Sequence, residues 1–304
     1  MPDERKTLLI VNPRAGRGRG MKQFSRLHDR LNYEFKNLKV RISEYSGHAV
    51  EISRRAVDEG FQRIISVGGD GTPFEIINGL YADGRPGVDI ELGMIPAGTG
   101  NSFIRDFSAV NAVQSLDTIV KGKSRKVDLI EFDSMKGGRR IRRYYLNILG
   151  VGLIADILKL TNERLKFLGA FGYSLAVLLR LAKGMNNRMI LTVDGRWLDI
   201  RDSALVISNS KFTGGKMKIA PQADTQDGKV DLVIFREVSR RDIVGIFRNV
   251  FKGKHIAHPK VDTYRASAVT LECEPQQLLM ADGELLGETP LTLTVRPGEL
   301  SVLV

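Results

Sequence analysis

Ser66-Val67-Gly68-Gly69-Asp70-Gly71-Thr72 is the stretch on which the reading of this chain turns. An apolar run, residues 61–67, leads into it and reads as a buried strand. Three glycines then surround one carboxylate where that strand must end. Glycine permits positive φ and leaves no Cβ in the way of a close ligand. Backbone N–H groups in such a turn converge on an anion. Residues 73–80 follow, with Pro73 at a first helical position and Ile76, Ile77 and Leu80 at helical spacing. A strand, a glycine turn and a helix N-terminus together make a phosphate-binding design. A carboxylate inside it needs a cation or a donor group to offset its charge, which suggests a nucleotide polyphosphate with a divalent metal. The plainer alternative is a tight turn with Asp70 as helix cap, and the turn alone does not choose between them.

Working outward, the residues on either side alternate between strand and helix. Strands are expected over residues 7–11, 40–45, 63–67 and 90–95, and helices over 21–33, 50–59 and 75–80. Such alternation argues for a parallel sheet with helices on both faces, where ligands bind at strand ends. The glycine-rich turns at residues 12–20, 68–72 and 96–101 fall there. From about residue 127 β-type alternation dominates, with strands expected at 127–132, 143–148, 189–193, 204–209, 229–235, 268–273, 278–281 and 291–295. Helical stretches are expected at 153–167, 171–183 and 240–251. The chain therefore divides into an α/β nucleotide-binding domain over 1–128 and a β-rich domain over 129–304. With no repeat or linker, the halves are expected to pack together, leaving a cleft for substrate.

Composition bounds the function. Hydrophobic content of 42% and charged content of 27% fit a soluble globular protein. The single cysteine, Cys273, excludes an internal disulfide and fits a reducing compartment. The apolar run 8–11 stops at Asn12-Pro13, too soon for a signal peptide. No run approaches the ~20 apolar residues that span a bilayer; the longest candidates are broken by Asn147, Asp156 and Arg180. A cytoplasmic protein is expected. Its net charge of +11 attracts polyanions. One cluster, Arg14, Arg17, Arg19, Lys22 and Arg26, lies beside a glycine turn and suits phosphate. The other, Lys136, Arg139, Arg140, Arg142 and Arg143, reads as a hairpin tip or solvated face. Neither is interleaved with aromatics, so no nucleic-acid partner is expected. The glycines match neither a P-loop nor the G-x-G-x-x-G spacing, and no paired Cys/His set suggests zinc. His28, His48, His255 and His258 read as surface or capping residues, with His48 in a loop local to the site.

Taken in order, the motifs resemble one family. Asn12-Pro13 with Gly16, then Gly68 to Thr72 with Glu75 and Asn78-Gly79, then Pro96-Ala97-Gly98-Thr99-Gly100-Asn101, are similar to the diacylglycerol kinase catalytic family. That family includes bacterial lipid kinases and the sphingosine and ceramide kinases. Lys126-Val127-Asp128, Gly214-Gly215-Lys216-Met217-Lys218-Ile219-Ala220-Pro221, Ala223-Asp224, Asp227-Gly228 and Ala281-Asp282-Gly283-Glu284 extend the resemblance over nearly the whole chain. The GGDGT turn alone is shared with NAD kinases.

The resemblance implies a two-domain NAD kinase/diacylglycerol kinase-like fold, with a sandwich-like second domain and ATP between the two. It implies an ATP- and Mg²⁺-dependent lipid kinase acting on a diacylglycerol-like acceptor. Carried over by position, Asn12, Pro13, Arg14, Ala15, Gly16, Ser43, Gly68, Gly69, Asp70, Gly71, Thr72, Glu75 and Thr99 form the ATP site. Asp282 matches the general base. Asp224, Asp227 and the carbonyl of Lys229 match a second-domain metal site, and Asp128 an acidic residue of the catalytic magnesium network. Phosphoryl transfer asks mainly for positioning and charge neutralisation, which these residue types supply. The alternative for Asp282-Gly283 is a plain hairpin turn. Two positions depart from the family pattern: Phe74 replaces Asn beside the phosphates, and Ser102 replaces Asp. They leave open a kinase of a soluble acceptor such as NAD, or a nucleotide-binding regulatory protein. A lipid acceptor requires peripheral docking on an anionic membrane face, with residues 136–143 the candidate surface and the apolar faces of 153–167 and 171–183 candidate acyl walls. A homodimer is left open.

Overall fold

The computed structural model describes residues 3–84, 89–108, 111–152 and 187–304. The expected helices at 153–167 and 171–183 lie outside the described residues. The chain forms two compact units, Met1–Leu129 with Pro297–Val304, and Ile130–Arg296.

The first unit is built on a parallel sheet. Its strands are β1 (Thr7–Val11), β2 (Leu38–Ile42), β3 (Arg63–Gly68) and β4 (Glu91–Pro96), in the order β2-β1-β3-β4. Ser301–Leu303, the end of β15, completes it by pairing in parallel with β4. β1 and β3 are buried along their whole length, which is why they read as continuous apolar runs rather than alternating ones. Helices α1 (Arg19–Glu34) and α4 (Ala112–Lys121) present Leu27, Leu31, Leu116 and Ile119 to a core with Leu9, Val11, Ile65, Val67 and Ile95. Helix α2 (His48–Asp58) packs against α3 (Gly71–Leu80). Sequence reasoning missed α4, although its cap is legible: the Asn111 side chain accepts from the N–H groups of Val113 and Gln114.

The second unit is antiparallel. β5 (Ser124–Lys136), which begins in the first unit, forms a hairpin with β6 (Arg139–Tyr145). One ladder runs β12 (Val261–Ala266), β11 (Val230–Arg236), β10 (Ser203–Ser208), β7 (Ile148–Val151), β14 (Leu278–Ala281) and β15 (Glu284–Leu303). A second runs from β15 through β13 (Ala268–Glu274) and β8 (Arg188–Val193) to β9 (Arg196–Arg201). The single strand expected over 143–148 is two strands, β6 and β7, interrupted at Leu146 and Asn147. Strands β9 and β12 went unread because each has one paired neighbour, leaving polar residues such as Asp199 and Asp262 along it. Helix α5 (Arg240–Val250) starts at a capping box formed by Ser239 and Asp242. It buries Ile246 and Val250 against Val206, Ile219, Val233 and Phe235. His255 belongs to this interior rather than to the surface: it is 1% exposed and donates through Nε2 to the Ile219 carbonyl at 2.9 Å. Burial holds its pKa below the usual histidine value.

Candidate nucleotide and phosphoryl-transfer site

In the first unit three turns follow the C-terminal ends of β1, β3 and β4, and hydrogen bonds lock them together. Asn12 donates its N–H to the Val67 carbonyl at 2.9 Å and its side-chain amide to Thr72 Oγ1 at 3.4 Å. Ala97 and Gly98 donate to the Gly68 carbonyl at 2.7 and 3.2 Å. Arg19 donates from Nε to the Gly16 carbonyl at 3.0 Å and from Nη2 to Thr99 Oγ1 at 3.2 Å. Within the first turn, Asn12 Oδ1 accepts from Arg14 N–H at 3.1 Å and Ala15 is buried. The exposed Arg14 and Arg17 rim that turn, and Pro13 is half-buried in it.

Gly16 has a φ of 56°, in the left-handed region, whereas Gly68, Gly69 and Gly98 serve close approach. Gly68, Gly69 and Gly98 are not among the residues with positive φ. A Cβ on Gly98 would strike the Cα of Gly69, and one on Gly69 would lie 3.1 Å from the Cα of Gly98. A Cβ on Gly68 would strike the Thr72 side chain, and one on Gly16 would strike the Ala97 carbonyl. Only turns without side chains pack backbone to backbone in this way.

Asp70 stands at the N-cap position of α3, but its side chain makes no capping hydrogen bond. Its Oδ1 instead accepts from the Ser102 N–H at 2.7 Å. Burial pushes the Asp70 carboxyl above its usual value, opposed by the N–H groups of Ser102, Phe103 and Asn101. These are the donors that the sequence argument required beside that carboxylate. The backbone of Ser102 does this work, and its side chain is buried. Phe74, expected beside the phosphates, is 6% exposed and sits in the interior.

Two other expected ATP-site residues are engaged in structure. Both Glu75 oxygens accept from the start of α2, from Gly47 N–H at 2.9 Å and Ala49 N–H at 3.1 Å, where helix N-terminal donors favour a carboxylate. Ser43 is buried and donates its N–H to the Val11 carbonyl at 2.8 Å, which places it at the same strand ends. Asp128 is fully buried, and its Oδ1 accepts from the Gly298 N–H at 2.8 Å, anchoring the returning C-terminal segment. Arg19, grouped at first with the basic cluster, emerges as the side chain joining two of the three turns.

In the second unit Asp282 is both turn residue and buried ligand. Asp282 and Gly283 have φ of 48° and 93°, closing the β14–β15 hairpin where Ala281 pairs with Glu284. The carboxylate turns inward and accepts from Leu146, Asn147 and Ile148 N–H groups at 3.0, 3.1 and 2.9 Å, at the break between β6 and β7. These three donors hold the carboxylate against the β6–β7 break. Glu284, two residues on, is exposed.

Of the expected metal ligands of this unit, the two carboxylates already have partners. Asp224 Oδ1 accepts from Gln226 N–H at 3.1 Å and Asp227 Oδ1 from Lys229 N–H at 2.9 Å. Asp227 Oδ2 pairs with the Arg265 guanidinium. Asp231, which sequence reasoning missed, is buried beside them, and burial with the Asp224 charge pushes its carboxyl up to about 6. Among the described residues no group of three or more His, Cys, Asp or Glu is arranged to hold a metal ion. As the cluster stands, a divalent metal does not fit without displacing Arg265.

Comparison with known proteins joins the two halves. Residues 6–132 match the family model for the diacylglycerol kinase catalytic domain. Residues 147–304 match that for the YegS C-terminal NAD kinase beta sandwich-like domain. A diacylglycerol kinase of Staphylococcus carnosus is 28% identical over 94% of this chain and 90% of its own length. A crystal structure from Bacillus anthracis str. Sterne, assigned as a diacylglycerol kinase, superposes with TM-score 0.78 at 25% identity, covering 98% of this chain and 97% of that one. Yeast NADH kinase shares the fold alone, with TM-score 0.52 at 11% identity over 99% of this chain and 83% of its own. The sequence motifs, the two-unit architecture and both family matches agree: this chain belongs to the diacylglycerol kinase catalytic-domain family.

Proposed function

We propose that this protein is a lipid kinase that transfers the γ-phosphate of ATP to the hydroxyl of a diacylglycerol-like acceptor. The observation that carries the reading is the set of three interlocked glycine turns at adjacent parallel strand ends, rimmed by Arg14 and Arg17. Backbone without side chains lets phosphate oxygens approach N–H groups closely, and the guanidinium groups neutralise them. Asn12, Thr72, Thr99 and Arg19 hold the turns in register for the polyphosphate. Asp70 is the carboxylate among these turns and would hold the Mg²⁺ that accompanies ATP. When bound, that ion supplies charge neutralisation on the transferring phosphoryl group.

Asp282 takes the acceptor hydroxyl proton in this reading, following the family pattern. Its carboxylate is fixed in place by three backbone N–H groups, and phosphoryl transfer asks mainly for positioning. The same observation favours a second reading, in which Asp282 positions its hairpin and the exposed Glu284 is the base. Among the described residues no helix is long and apolar enough to cross a membrane, so a lipid acceptor is met by docking on the bilayer surface. Asp133 pairs with Arg140 and Arg142 at 2.7 and 3.0 Å, and Glu131 with Arg142 at 3.0 Å. The docking charge of the β5–β6 hairpin therefore falls to Lys136, Arg139 and Arg143, each contributing about 1 kcal/mol near an anionic surface.

The test is ATP turnover with diacylglycerol in anionic vesicles, with NAD, and with no acceptor, for wild type, Asp282→Asn and Glu284→Gln. Lipid-dependent turnover is expected, and loss of the base lowers kcat by roughly 10²–10⁴-fold. Near-normal kcat in Asp282→Asn with loss in Glu284→Gln assigns the proton to Glu284. Turnover with NAD alone overturns the lipid reading.

A further inference from the structure

We propose that Arg265 is a built-in cation: its guanidinium occupies the acidic cluster of Asp224, Asp227 and Asp231, so the second unit holds its shape without a divalent metal there. The placement comes from the sheet. β11 and β12 pair antiparallel with Asp231 directly opposite Arg265, and opposite charges facing each other across two strands attract. From there the guanidinium pairs through Nη2 with Asp227 Oδ2, and Nε lies 3.9 Å from Asp231 Oδ2.

The donor set argues the same way. Mg²⁺ demands near-octahedral oxygen coordination and Ca²⁺ six to eight oxygens. Here one oxygen each of Asp224 and Asp227 accepts a backbone N–H, and the second oxygen of Asp227 faces Arg265. Asp231 is buried, and its Oδ2 accepts no hydrogen bond, so Arg265 is the cation nearest to it in the described contacts. A guanidinium is planar, permanently charged and able to serve two carboxylates at once. Its side chain is 44% exposed, so it covers the cluster from the solvent side. A metal entering this site has to displace it from Asp227.

The experiment is thermal unfolding of the full chain without nucleotide, in EDTA and in millimolar Mg²⁺ or Ca²⁺. The midpoint of wild type is expected to be the same in all three. Arg265→Ser should unfold earlier in EDTA and gain a metal-dependent rise of about 4 °C or more, as a vacated carboxylate cluster binds the ion. Arg265→Gln is the second variant should the first fail to fold. A metal-dependent rise in wild type that Asp227→Asn abolishes overturns the proposal. So does an arginine variant that folds yet stays indifferent to metal. A wild-type rise that survives Asp227→Asn arises at another site, and the arginine variants then decide.

Discussion

Strands β3 and β4 begin and end in opposite chemistry. At their start, Arg63 and Glu91 are register partners, and Arg63 is fully buried. Its guanidinium reaches Glu91 at 2.8 Å and Asp3 at 2.5 Å, and Arg5 pairs with both carboxylates at 2.7 Å. Two positive and two negative groups close on each other there. At the other end Gly68 pairs with Pro96, and the turns beyond carry one carboxylate held by backbone donors. Charge matched by charge leaves nothing to offer a ligand. Amides and rim arginines around bare backbone leave room for an anion. The same two strands are thus clasped by charge at one end and, in the proposed function, receive the nucleotide at the other.

The largest expected effect tests the clasp. Arg63→Met leaves Asp3 and Glu91 with only Arg5, and breaking a buried pair by removing one partner costs about 3 kcal/mol or more. Urea unfolding measures it, and a loss under about 1 kcal/mol would mean that Arg5 alone closes this end. An intermediate effect is expected from Gly98→Ala at the receptive end. The new Cβ meets the Cα of Gly69, and overpacking of this kind costs about 1–3 kcal/mol. ATP affinity should fall in the same variant, because the turns can no longer approach; unchanged affinity would detach these turns from the nucleotide. The smallest effect on stability separates the ends by pH. The Arg5 and Arg63 groups hold the Asp3 carboxyl below its usual 3.8, with the Arg5 hydrogen bond first. Its stabilisation is complete above that value and is lost as pH falls below it. Asp70 is shifted the other way, so its folded state favours the proton and stability declines as pH rises from about 3.8 toward the raised value. Asp70→Asn should flatten that decline while ATP turnover drops. Were it to steepen the decline instead, the two ends would share one sign and the contrast would fail.

Much of this was legible because it is local. Strand, turn and helix N-terminus follow one another in residues 61–80, and the family motifs occur in order. The parts that were not legible depend on pairings distant in sequence. The need for glycine at position 98 arises from Gly69, and the partner of Asp70 is a backbone N–H at Ser102. Arg63 stood within an apolar run as an isolated charge, and only the neighbouring strand and the N-terminal residues explain it. Asp282 looked like turn or base as alternatives. Its positive φ makes it a turn residue whose side chain is also drawn inside. The aspartates of the second unit carried a metal motif, but the arginine opposite them lies 38 residues beyond Asp227, out of reach of any local pattern.

The pairing of Ser301–Leu303 with β4 has a consequence for how the protein is made. On the ribosome, β4 emerges early, and residues 130–296 must follow before its neighbour arrives. Through that interval the β4 edge of the parallel sheet is open, with unpaired donors and acceptors along a strand whose middle residues are all destined for burial. Open apolar edges recruit other strands, so the nascent chain is most vulnerable to wrong pairing while its second unit is still being synthesised. The unit that holds β4 is therefore completed only after the residues between β4 and Ser301 have been made.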